Sequence, residues 1–246
     1  MDKGPDPSSL SPDALVERWL EWLTLTKNEA LNFYRTRRLL ENVQAMFNSN
    51  AALNAEGGDV GSWPGDVHVS HFLVCVRREL EQGGGHMTLI NLLHELEKYS
   101  AVVLTRTRYV ALYQDSTLKD PKWGNEHFDG KAGAVCPLPK APPAADHISP
   151  AAIKRIRQDL LKNAEKVLFY ANWLILHRTS QKPPSVTWGD VYRVMDQIFD
   201  TYAWCYNILT TSVYVGRYPV PQYDLLAPFR FTWITDAFVE WDAPES

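Results

Sequence analysis

One histidine, His177, closes the apolar run "VLFYANWLILH" that starts at Val167, and the side chains behind it are the best candidates for chemistry. Residues seven apart return to one face of a helix, so Tyr170 stands above His177 with Trp173 between them. Asn163 and Lys166 extend that stripe upstream. An imidazole titrates near neutral pH and can move protons, while neighbouring amide and phenol groups can orient a polar ligand. A face of Asn, Lys, Tyr, Trp and His is too polar for mid-core and too aromatic for plain surface. It suits a cleft or a shared interface. The competing reading is a partly buried interface histidine at a helix end, where the macrodipole favours its charged form.

The helix that carries this stripe is basic. Between Ser149 and Arg178 lie Lys154, Arg155, Arg157, Lys162, Lys166 and Arg178 against Asp159 and Glu165, in a chain whose net charge is −4. A cationic helix in an acidic protein is a concentrated field suited to a phosphate-bearing ligand; the ordinary alternative is a solvated helix face. Helical spacing groups Arg155, Lys162 and Lys166 on one side and Lys154 and Arg157 on another.

Helices must position these groups. Residues 1–10 read as a disordered lead-in, and Ser11-Pro12 as a cap with proline in the first turn. Apolar residues then recur at three- and four-residue steps: Leu15, Trp19, Trp22, Leu23, Ala30, Phe33, Leu40, Val43 and Phe47. This predicts one long helix, or two with a bend, ending in an Asn/Gly-rich loop. A second helix is expected from Asp66, stopped by Gly83-Gly84-Gly85, and a third from a Thr88 cap, with a kink near Ser100. Residues 115–148 hold five prolines and no helical period, and are expected to form a mobile excursion or lid. Ser149-Pro150 restarts a helix, and Thr187-x-x-Asp190 resembles a capping box opening the last one. The aromatic tail, 212–246, should drape over the bundle or over a second subunit. The expected fold is all-α, one antiparallel helical bundle over 11–211.

Composition narrows the classes. Apolar residues make up 45% and charged residues 22%, as in a folded soluble protein. Cys75, Cys136 and Cys205 are odd in number and share no CxxC spacing, which fits a reducing cytoplasm and no zinc knuckle. No apolar run is long enough to span a membrane, and prolines and acidic residues interrupt the N-terminus where a signal peptide needs an apolar core. His68 and His71 share a helical face with chelating spacing, but Cys75 lies two turns from His68, so the expectation is an ordinary helix edge and no metal. "EQGGGHMT" lacks the Lys-Ser/Thr of a phosphate-binding loop and reads as a hinge.

The run "ANWLILH", followed by "R", a polar-proline loop and "SVTWGDVYRVMDQIFDTYAWCYNILT", resembles the signature region of HEPN-like proteins, in the abortive-infection (AbiU-type) branch. Asn172 and His177 match the second and last positions of that family's Arg-Asn-x-x-x-x-His run, and Thr187-Trp188-Gly189-Asp190 matches the helix start that follows. The resemblance extends over about 66–113 and 149–209. It implies a helical bundle and metal-independent RNA cleavage by a homodimer with no cofactor. In that chemistry His177 is the acid–base group and Asn172 and Tyr170 position substrate, and the charge pattern of the basic helix adds Arg155, Lys162, Lys166 and Arg178 as the expected RNA contacts. It also implies an anti-phage or toxin–antitoxin setting with a neutralising protein partner. This chain has Ala171 where the family has arginine, so the resemblance implies a weak or inactive nuclease. Natural decay and deliberate replacement are both open as the origin of Ala171. The reading from another class is a non-catalytic helical binding module, antitoxin-like or a scaffold.

Overall fold

The computed structural model describes residues 6–49, 58–83, 85–114, 120–129, 145–175 and 183–212. Among these residues the protein is all-α, with seven α-helices and no strand. The helices are α1 (Pro12–Ser49), α2 (Gly58–Leu80), α3 (Leu89–Val103), α4 (Arg106–Gln114), α5 (Pro121–Phe128), α6 (Pro150–Ile175) and α7 (Trp188–Thr210). A single turn of 3-10 helix, Pro7–Ser9, precedes α1 within the expected lead-in.

Caps fix where the helices begin. The Ser11 hydroxyl accepts from the Ala14 amide at 3.2 Å. Thr88 accepts from the Asn91 amide at the same distance. Thr187 and Asp190 form a reciprocal box at the head of α7, although aspartate stands where the motif usually has glutamate or glutamine. One expected start and one expected break move. The second helix begins at Gly58, so Asp66 lies inside it rather than capping it. The third breaks at Leu104-Thr105, past Ser100, and resumes as α4. The first helix is continuous over all its residues.

The core is built from the face of α1 that the sequence pattern marks. Leu15, Trp19, Trp22, Leu23, Ala30, Phe33 and Leu40 are buried, whereas Val43 and Phe47 are only half-buried. Trp19, fully buried, donates its indole N–H to Glu95 of α3 at 2.8 Å, and Arg18 reaches the other carboxylate oxygen at 3.1 Å. Phe33 and Tyr34 pack against Phe72 of α2 and Phe199 of α7, and the Tyr34 hydroxyl donates to Asp196 at 2.7 Å. Helices α2, α3 and α7 each pack on α1, and α6 packs on α2, α3 and α7.

Glu79 sits at the junction of α1, α2 and α3, only 5% exposed. Its carboxyl accepts from the Thr26 hydroxyl at 2.8 Å and from the Leu89 amide in the first turn of α3 at 3.3 Å. Burial pushes its pKa up to about 7 despite these two bonds; Glu29 adds repulsion and Arg78 offsets part of it.

The expected 115–148 excursion needs correction. It contains α5, capped by Asp120, and both Phe128 and Ile148 are buried in the core. Residues 145–148 are tied to the α3–α4 junction by the Thr105–His147 bridge and by the Ile148 amide donating to the Leu104 carbonyl. The Arg106 guanidinium clasps both parts. It donates to the Ala145 carbonyl at 2.9 and 2.8 Å, to Asn125 at 3.3 Å and to Asp129 at 2.6 Å. This is a planar fork filled on several sides in a poorly solvated setting. Arg106→Ala is expected to destabilise the protein by about 2 kcal/mol, because Asp129, Asn125 and the Ala145 carbonyl would each lose a bond from the guanidinium. Arg106→Lys should recover only part of that, as read by urea denaturation.

Candidate functional site

Helix α6 turns Ile153, Ile156, Leu160, Ala164, Val167 and Ala171 inward, at the spacing that keeps one face buried. The opposite face looks to solvent. Arg155, Asp159, Lys162, Lys166 and Phe169 are exposed along it, and Trp173 follows half-buried. The basic set Arg155, Lys162 and Lys166 therefore shares one outward stripe, as helical spacing predicts. Arg157 does not belong to it. It is held half-buried against Glu97 of α3 by an ion pair of 2.9 Å.

Lys166 is partly committed inside the protein. Its ammonium donates to Asp190 at 2.8 Å, and the same carboxylate oxygen accepts from the Thr187 amide and hydroxyl. The Lys166 hydrogen bond, then the bonds from Thr187, hold Asp190 well below the usual carboxylate range. The capping box thus does more than start α7. It fastens the head of α7 to the last third of α6, across the connection that carries His177 and Arg178. Those two residues lie outside the described residues, as do Cys136 and the tail from 213.

Around this end of the bundle stand several rings. Trp188 packs on Tyr192 and on Phe72. Arg37 lies over the Tyr192 ring, 3.9 Å from its centre, while also pairing with Glu41. His68 and His71 flank Phe72 with ring centres 6.0 and 5.8 Å away. Cys75 is fully buried 3.7 Å from His71, and burial, reinforced by Glu29, raises its thiol to about 12. It is no nucleophile at neutral pH. Among the described residues no three His, Cys, Asp or Glu side chains are grouped to hold a metal.

The positions singled out beside His177 separate. Asn172 is exposed, Tyr170 is half-buried with its ring 6.3 Å from that of Trp173, and Ala171 is completely buried. The position that the resemblance gives to arginine therefore faces the interior of the subunit. An arginine there would have its guanidinium desolvated among Val167, Ala164 and their neighbours, not presented to a phosphate. The geometry of α6 thus sets Ala171 apart from the other candidate positions. The spacing of inward residues on α6 contains the signal, because Val167 and Ala171 are one turn apart in the apolar series.

Sequence reasoning missed the Lys166–Asp190 tie and the Arg37–Tyr192 contact. The first was visible only as a cap, and nothing in a linear pattern brings Arg37 to Tyr192. No described helix is long and apolar enough to cross a membrane. Comparisons with protein-family models, with curated proteins and with solved structures return no match.

Proposed function

We propose that this chain is a HEPN-like RNA-directed protein of the abortive-infection type, holding RNA on the outward face of α6. In this reading the chain is cytoplasmic and dimeric, and a protein partner restrains it. His177 is the acid–base group of a metal-independent cleavage in which a ribose 2′-hydroxyl gives up its proton and attacks the adjacent phosphodiester, the P–O5′ bond breaks, the 5′-oxygen leaves with a proton, and a 2′,3′-cyclic phosphate remains. Asn172 and Tyr170 position the substrate, and Arg178, the next residue in sequence after His177, contributes to holding RNA. Cleavage by the chain as it stands is weak or absent, because no guanidinium reaches the site from position 171.

The observation that supports the reading best is the solvent-facing set Arg155, Lys162 and Lys166, interrupted by Asp159, on the helix that precedes His177. Phosphate contacts sum along such a stripe and release counterions, so affinity survives the loss of a catalytic group. Binding to single-stranded RNA is expected to weaken steeply as salt rises. Replacing Arg155, Lys162 and Lys166 by alanine should flatten the slope of log affinity against log salt by about 0.7 per cation removed. Full affinity and an unchanged slope in that triple variant would reduce the stripe to a solvated face.

The buried Ala171 favours a second reading, a non-catalytic binding module of antitoxin or scaffold type in which alanine is the working residue. The two separate on cleavage and binding. RNA cutting that disappears in His177→Ala supports the first reading. No RNA binding by either protein, with a stable protein complex recovered from the full chain, supports the second.

A further inference from the structure

The outward stripe of α6 has two halves. Towards its start it is cationic, with Lys154, Arg155, Lys162 and Lys166 against Asp159 and Glu165, all exposed. Towards its end it is apolar, with Phe169 and Leu174 more than a third exposed beside half-buried Tyr170 and Trp173. Single exposed apolar residues are ordinary, but two exposed and two half-buried ones at the end of a basic stripe form a surface with a definite chemistry. Its complement is a segment that is acidic and aromatic at once.

The chain contains such a segment. Asp236 to Ser246, "DAFVEWDAPES", carries four carboxylates, no lysine or arginine, and the rings of Phe238 and Trp241. The Lys166–Asp190 tie joins the last third of α6 to the first turn of α7, so α7 runs back along α6. Ser212, just past α7, therefore lies towards the basic half. The intervening residues, at about 3.3 Å each, span roughly 80 Å when extended, about twice the length of α6. Reach does not restrict where the segment binds.

We propose that Asp236–Ser246 docks on the outward face of α6 in the same subunit, its carboxylates on Lys154, Arg155 and Lys162 and its rings against Phe169 and Trp173. The docked segment covers the cations that would meet phosphate. Insofar as the proposed RNA function holds, it is autoinhibitory, and RNA must displace it.

Zero-length carbodiimide coupling of the full chain, mixed in equal amounts as light and nitrogen-15-labelled protein, tests the docking. Lys166–Asp190 serves as the internal positive control. Links from Lys154 or Lys162 to Asp236, Glu240, Asp242 or Glu245 are expected within one isotope class. Light–heavy links would place the segment on a second copy and overturn the proposal, as would its absence from α6. In a second arm, the full-length variant D236N/E240Q/D242N/E245Q is expected to bind single-stranded RNA about tenfold more tightly at low salt. Unchanged affinity would overturn the autoinhibition. If neither protein binds RNA, the RNA reading fails while the links still decide the docking.

Discussion

Ala171→Arg is expected to abolish cooperative folding rather than to restore a nuclease. The side chain is completely buried in the subunit, so the variant must bury a guanidinium or push α6 off α2 and α7. An uncompensated charge in such a place costs about 5 kcal/mol, and the added volume a further 1–3 kcal/mol. That is comparable with the whole stability of an ordinary domain. Circular dichroism with heating, together with the soluble fraction on expression, would read the loss. A variant that stays soluble, melts like the parent and cuts RNA would show instead that position 171 opens to the substrate, and the arginine reading would return.

Glu79→Gln is expected to stabilise the protein, increasingly so as pH rises. The folded carboxyl titrates near 7, against 4.5 when unfolded. Between these values the native state holds a proton that the unfolded state has released, so stability falls as pH rises through that window. Below 4.5 the contribution is intact, and above 7 it is fully lost. An amide keeps a neutral group beside Thr26 and the Leu89 amide throughout. The variant should gain up to about 3 kcal/mol above pH 7 and converge with the parent in acid. Urea denaturation at three pH values would check it; a difference independent of pH would mean that Glu79 is not the titrating group.

These residues show what a linear pattern can and cannot carry. Ser11, Thr88 and the Thr187–Asp190 pair were legible as caps because capping is local, satisfied within three residues of chain. The α1 core face was legible because helical period and burial coincide there. The start of α2 was not, since Gly58 and Pro64 read as a loop and intrinsic propensity yields to tertiary packing. Arg106 is the clearest case of the illegible. Its partners lie 19, 23 and 39 residues away, and no spacing rule selects them. At the candidate site the basic stripe followed from spacing alone. The burial of Ala171 was legible in the same way, one turn past Val167 in the apolar series of α6.

The pairing of α1 with α7 has a consequence for how the protein is made. Tyr34 finds its acceptor, Asp196, 162 residues further along the chain. The cluster of Phe33, Tyr34 and Phe72 is completed by Tyr192 and Phe199, from the last described helix. During synthesis, α1 leaves the ribosome long before the helix that buries its rings exists. Such distant pairings slow folding and leave apolar surface waiting. A nascent chain stalled before α7 holds an α1 that cannot close, whatever its local helicity. Basic α6 likewise lacks Asp190, so it first meets the cell with Lys166 unneutralised. Competence and neutralisation therefore arrive together when α7 emerges, and a chain stalled between 176 and 190 has neither.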